Sequence, residues 1–330
     1  MNESLDQEFA SKLAEFTEQK DDNIFTKTSL RKAFGAGLIK AAQRDRNVVA
    51  LSADLADSVG FGGFREQLPD NYVEVGIAEQ NLVGVAAGLA HVGLKPFAAS
   101  YAAFSPGRNY EQIRTMIALN DLPVVVVGSH AGLNVGPDGA THQMLEDVAL
   151  MRALPNMNVF APASSNEAFV LAQFLASFNH PAYVRLPRES QPEIFCESTK
   201  FTFDRPTILR EGSDVTLVGY GTMTSQNLLA AAILERDHIE SRVVHYGQLD
   251  INNLSVLMQN SIIVATEEHE KRGGFGEEIA TRLLENGWFG KFVHLAVNGE
   301  FGQSGTADEL AKSYHLTADD IACRIRKLVS

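Results

Sequence analysis

Glu74-Val75-Gly76-Ile77-Ala78-Glu79-Gln80-Asn81, followed by the small apolar run Leu82 to Ala90, decides how this chain is read. An extended apolar piece passes through Gly76 into a segment rich in Ala and Gly, the pattern of a strand feeding a helix. Glu79 then falls in the first helical turn, where an acidic side chain complements the helix dipole and the free amides. Gly84, Ala86, Ala87, Gly88 and Ala90 give that helix slim faces, so another backbone can approach closely and bury the carboxyl group. Burial disfavours the charged form of such a group, which can then share a proton with a ring nitrogen.

Working outward, the rhythm of strand then helix repeats. Ser29 to Gln43 has helical spacing, and Val48 to Leu51 is a short buried strand running into the polar loop Ser52 to Ser58, at the strand end where open α/β sheets put their ligands. Gly60-Phe61-Gly62-Gly63-Phe64 reads as a flexible loop, a weak phosphate cradle without a Gly-Lys-Ser/Thr ending. Lys95 to Ser100 is a strand, Tyr101 to Leu119 a turn plus helix, and Pro123 to Gly128 a β-branched strand of the kind buried on both faces. Ser129 to Gln143 is a long loop rich in Gly and polar residues, and loops of that length in compact domains carry function. Pro187 to Arg210 lacks either period and separates two halves; beyond it strands and helices alternate again as far as a closing helix over Ala318 to Leu328. The expected fold class is α/β, with two doubly wound domains and mainly parallel sheets. The expected boundaries are an N-terminal polar helix over 1–23, a first domain over 24–190, a linker over 191–211 and a second domain over 212–330.

Length and composition agree with two such domains, since 330 residues exceed the commonest single-domain size. With 28 Lys plus Arg against 41 Asp plus Glu, the formal charge of −13 argues against a nucleic-acid or anionic-membrane surface. Cys196 and Cys323 are far apart and without metal-ligand spacing, which suits a reducing compartment. The polar, acidic start is unlike a signal peptide, and no apolar run is long enough to span a bilayer, so a cytoplasmic location is expected.

The motif around Glu79 resembles that of the transketolase family of thiamine diphosphate enzymes, in which this glutamate protonates the cofactor's aminopyrimidine ring and so lets the cofactor activate itself. His130-Ala131-Gly132-Leu133-Asn134-Val135-Gly136-Pro137-Asp138-Gly139-Ala140-Thr141-His142-Gln143 is similar to the family's substrate loop. Without the resemblance, two histidines in a loop with no completing Cys or carboxylate read as surface side chains. With it, His130 and His142 would meet a sugar phosphate, acting beside Glu79 in catalysis, and Asp138 would read a substrate hydroxyl. Arg31, Ser58 and Arg188 match residues that grip the substrate phosphate; guanidinium forks suit a phosphomonoester, although each Arg alone reads as a surface charge. Tyr101 and Phe104 match aromatics that pack on the aminopyrimidine, with Gly107 where many members have a third aromatic, and Asp54 is expected to line the cofactor pocket.

What the resemblance does not find is equally informative. No Gly-Asp-Gly occurs, the motif with which the family holds the Mg2+ that binds the diphosphate. The resemblance covers the pyrimidine-binding and C-terminal domains alone, from about residue 24 onward. It implies the second subunit of a split transketolase, contributing no metal ligand itself. The N-terminal subunit would carry the diphosphate-binding domain and the Mg2+, in an α2β2 heterotetramer that transfers a two-carbon ketol unit between sugar phosphates of the pentose phosphate pathway. The alternatives are a 2-oxoacid dehydrogenase β-type subunit, which lacks this His130 to His142 loop, a deoxyxylulose-phosphate-synthase-like subunit, which usually has Arg in place of His130, and a non-catalytic assembly subunit. The Glu267-Glu268-His269 run reads as a solvated turn.

Overall fold

A computed structural model describes residues 27–195 and 199–329. The polar helix expected over 1–23 and Cys196 lie outside the described residues. Strand β1 (Lys27–Thr28) leads into a helix over Leu30–Arg44, which Ser29 caps by accepting from the Lys32 amide at 3.4 Å. Its buried face, with Leu30, Phe34, Leu38 and Ala42, repeats at helical spacing. Strands β2 (Val48–Ser52), β3 (Tyr72–Glu74), β4 (Lys95–Tyr101), β5 (Val125–Ser129), β6 (Asn158–Phe160) and β7 (Ala182–Arg185) form one sheet in the order β3-β2-β4-β5-β7-β6. Every neighbouring pair in it is parallel. Such a sheet must be covered on both faces, which is why β5 is Val-rich and wholly buried. The order reverses between β2 and β4, and the crevice at their carboxyl ends is the place a doubly wound sheet offers to a ligand.

Strand β8 (Gln191–Pro192) returns to pair antiparallel with β1. The second sheet then collects β9 (Thr207–Arg210), β10 (Val215–Gly219), β11 (Ser241–His245), β12 (Ile262–Glu270) and β13 (Lys291–Val297) in the order β13-β12-β10-β11-β9, parallel except for the edge strand β9. Helices Thr222–Glu235, Phe275–Glu285, Ala307–Ser313 and Ala318–Val329 belong to this domain. The two domains also meet edge to loop. The Ala161 amide donates to the Gly247 carbonyl at 2.9 Å and the Leu249 amide to Val159 at 2.8 Å, so Gly247 to Leu249 runs along β6 as a short antiparallel partner.

The structure departs from the sequence reading in four places. Residues Gly62–Gln67 are a short helix rather than a flexible loop, because Phe61 and Phe64 are fully buried and pull the glycines into order. The stretch read as linker supplies the ladder strands β8 and β9. The helix Ala307–Ser313, which the sequence reading does not set apart, opens with a capping box between Thr306 and Glu309. Glu267, Glu268 and His269 are inside β12 and buried, not in a solvated turn.

Candidate active site

Glu79 opens the helix Glu79–His91 at the carboxyl end of β3, and its side chain is only 5% exposed. Gly76, at φ +71°, makes the bend that brings it there; the Glu74 carboxylate holds the bend by accepting from the Gly76 amide at 2.9 Å and the Asp54 amide at 2.7 Å. The backbone approach expected along the slim helix face does not come from the described residues. Gly88 has nothing within 4 Å of an added Cβ, and Gly84 meets only the Met116 sulfur at 3.8 Å.

One Arg108 nitrogen donates to both Glu79 oxygens at 3.3 Å, and the Arg108 guanidinium carbon lies 4.0 Å from the centroid of the Phe104 ring. Asn109 supports the pair from below, donating to the Glu79 carbonyl at 2.9 Å and to Ser105 Oγ at 3.1 Å, while its own Oδ1 is buried without a hydrogen-bond partner among the described residues. Gly107 cannot carry the third aromatic of many family members: an added Cβ would lie 2.1 Å from the Ala103 carbonyl oxygen. Arg108, its neighbour, covers Phe104 instead.

The aromatic residues continue inward as a stack. Tyr101 lies 5.8 Å from Phe104 and 3.8 Å from His130, nearly parallel to both, and the His142 ring stands edge-on 5.4 Å from Phe104. His130 follows β5 with φ +56° and shares a hydrogen bond of 2.7 Å with Ser129 Oγ. Burial, with Arg31, Arg188 and His142 nearby, pushes its imidazole down to about 3. At neutral pH it is therefore an uncharged donor and acceptor. His142 rests against Thr141 Oγ1 at 2.9 Å.

Arg31 donates to the Ser58 carbonyl and, at 2.8 Å, to the Arg188 carbonyl; its Nε is buried with no partner among the described residues. Arg188 donates to the Val135 carbonyl at 2.6 Å and faces Asp138 at 3.6 Å. Residues expected to act together from 31, 58, 130, 138 and 188 thus converge, and Tyr101 and His130 join them to the Glu79 group. Asp54 stands apart, with an exposed side chain at φ +60° and only its amide tied to the site. Sequence reading missed Arg108 and Asn109. The available signal was their position one turn past Phe104, on the segment that already carried two site aromatics.

Two family models match this chain: transketolase, pyrimidine binding domain, over residues 26–193, and transketolase, C-terminal domain, over residues 205–321. A transketolase C-terminal section from Methanocaldococcus jannaschii is 37% identical over 299 residues, which cover 90% of this chain and 95% of that protein. A 6-deoxy-6-sulfo-D-fructose transketolase subunit from a Clostridium species is 34% identical, covering 88% and 92%. The 1-deoxy-D-xylulose-5-phosphate synthase of Clostridium perfringens is 35% identical, but the match spans 49% of that longer protein. A solved split gene transketolase, an inactive β4 tetramer, superposes with a TM-score of 0.84 at 39% identity, covering 91% of this chain and 97% of that one. The chain belongs to the transketolase family. Within it, the chain has the domain content and extent of a split transketolase's C-terminal subunit, and the doubly wound α/β fold expected from the sequence is the one observed.

Proposed function

We propose that this chain is the pyrimidine-binding subunit of a two-component, thiamine-diphosphate-dependent transketolase, completed by a partner subunit and moving a two-carbon ketol unit between sugar phosphates. The observation that carries the reading is the pairing of a nearly buried Glu79 carboxylate with a stackable aromatic, Phe104, beside a separate group of two arginines and two histidines. The residues fit the pyrimidine half of the cofactor. Once Arg108 is displaced, Glu79 can meet a ring nitrogen and Phe104 offers a flat face, and the buried Asn109 Oδ1 has an unused acceptor beside them. When bound, thiamine diphosphate supplies the carbon nucleophile that breaks and remakes the substrate's carbon–carbon bond.

The chain's own residues do the rest. Arg31 and Arg188 bind the substrate phosphate, and the unpartnered Arg31 Nε is the donor such an anion satisfies. Ser58 adds its hydroxyl. His130, neutral and stacked on Tyr101, orients substrate hydroxyls with His142 as a hydrogen-bond donor and acceptor, while Asp138 accepts from a hydroxyl further along. Asp54 reaches the cofactor pocket through its amide, which the Glu74 carboxylate holds beside the Gly76 bend.

Ile77, Val92 and Leu119, each 75% exposed, with Met116 at 43%, leave an apolar surface around the open face of the Glu79 helix. This surface is where the partner docks, bringing the diphosphate-binding domain and the Mg2+ that the missing Gly-Asp-Gly withholds from this chain, within an α2β2 heterotetramer. A place in the cytoplasmic pentose phosphate pathway follows from the substrate class. No helix among the described residues is long and apolar enough to cross a membrane.

The test is reconstitution with a transketolase subunit that carries the diphosphate-binding domain and an assay of ketol transfer from a ketopentose phosphate to an aldose phosphate. Turnover that needs both chains and is lost in Glu79→Ala supports the reading. No turnover of any ketose phosphate sinks it, and a scaffold role would leave the Glu79→Ala complex indistinguishable from wild type.

A further inference from the structure

The buried acidic pair on β12 divides its work. Burial works to raise Glu267, but the His294 hydrogen bond, nearby His269 and the Gly276 amide hold it down at about 2; its oxygens accept from the Phe275 and Gly276 amides at 3.0 Å and from Tyr220 at 2.8 Å. Every one of those partners lies in the second domain. Glu268 points the other way. One oxygen accepts from Thr222 Oγ1 at 2.6 Å, at the start of a second-domain helix, and the other from the Asn134 amide at 2.5 Å, inside the loop that carries Asp138 and His142. Its carbonyl accepts from Arg185 at 2.8 Å, and Arg185 is locked to the fully buried Asp147 at 3.0 Å.

From Asn134 the contacts run on without a gap. Asn134 Oδ1 accepts from the Glu189 amide at 2.6 Å, beside Arg188, and Arg188 returns to the loop at the Val135 carbonyl and Asp138. Gly132, at φ +76°, enters flush with this arrangement: an added Cβ would lie 2.8 Å from both Arg185 Nη2 and Glu268 Oε1. On the far side the loop borders a cavity of about 570 Å³ between the domains, lined in part by Asn134, Arg188, Thr222 and Glu268. The loop therefore has room to shift as soon as its anchor is cut.

We propose that Glu268 is a positioning residue for substrate: through Asn134 it fixes the 133–141 segment, so that the second domain sets where Asp138, His142 and Arg188 meet the sugar phosphate. Its role is exerted through the loop, since both of its carboxylate oxygens are taken up by Asn134 and Thr222. The proposal rests on the transketolase reading for the word substrate, and on geometry alone for the fixing of the loop. Two donors, the Asn134 backbone amide and the Thr222 hydroxyl, converge on the carboxylate; glutamine keeps the shape and can serve both only by reversing the bond to the hydroxyl, and it removes the charge assistance from each.

The experiment compares wild type with Glu268→Gln and Thr222→Val in the reconstituted complex. Loss of a hydrogen bond to a charged group is expected to raise KM for the ketopentose phosphate about tenfold in Glu268→Gln and less in Thr222→Val. Thiamine diphosphate affinity should stay near wild type. Hydrogen exchange at amides 133–141 should accelerate while the amides of β10 and β12 remain protected. Unchanged KM and unchanged loop exchange overturn the proposal. So does accelerated exchange throughout the second domain with loss of cofactor affinity, which would make Glu268 a group that merely holds the fold. If Glu268→Gln does not fold, Thr222→Val decides by the same readouts. Exchange needs no substrate, so a wild-type complex without turnover would end the transketolase reading while the loop comparison still settles the anchoring.

Discussion

At the scale of single residues, the telling fact is that Glu79 already has a cation. Arg108 lies on the same aromatic ring and the same carboxylate that the cofactor reading assigns to the aminopyrimidine, so the two compete for one place. Arg108→Ala is expected to tighten thiamine diphosphate binding to the complex about tenfold, the worth of one charge-assisted hydrogen bond, as read by calorimetry. Weaker binding would mean that Arg108 holds the cofactor. Glu79→Ala should keep the fold, since the side chain anchors no core element, and cut kcat by about 10²-fold or more, as removal of a positioned proton donor does. His130 supplies a pH signature. Its folded form is harder to protonate than the unfolded chain, so its contribution is complete above pH 6.5 and is lost as pH falls from 6.5 toward about 3, at no more than about 1.4 kcal/mol per pH unit. Urea unfolding of the chain at pH 7 and pH 5 should therefore show a smaller loss for His130→Gln than for wild type.

At the scale of elements, what the sequence disclosed and what it hid have a common explanation. The helix Leu30–Arg44 and the Val-rich β5 announce themselves because their burial is periodic or continuous along the chain. Glu79 was legible for the same reason, as an acidic residue at a helix start. Gly62–Gln67 was hidden because glycine carries no period, and its two phenylalanines alone report the burial. The end of β12 was hidden more deeply. Three consecutive charged residues look solvated unless one knows that His294, Tyr220, Thr222 and Asn134 arrive from elsewhere in the chain to meet them. Local pattern cannot announce partners so distant in sequence. The converging arginines at 31 and 188 were found through a family resemblance, not through their spacing. One element-scale prediction follows from the turn after β4. Gly107→Ala drives a Cβ into the Ala103 carbonyl, so the Ser105 to Asn109 segment must shift, and a fall of several degrees in Tm with weakened cofactor binding is the expected outcome.

For the whole molecule, the open face of the Glu79 helix and the apolar residues around it imply half of a cofactor site. Calorimetry with thiamine diphosphate and Mg2+ should show tight binding to the mixture of subunits and none to this chain by itself. Tight binding to the chain alone would refute the divided site. The strand β6 has a different consequence. Its outer edge is paired by Gly247 to Leu249 of the other domain, so the backbone groups that an edge strand leaves open are already spent within the molecule. Excising residues 27–190 would bare that edge and invite it to recruit a neighbouring copy, giving aggregates instead of a soluble fragment. In the intact chain neither half can melt first without exposing it, so the two domains should unfold as one calorimetric transition.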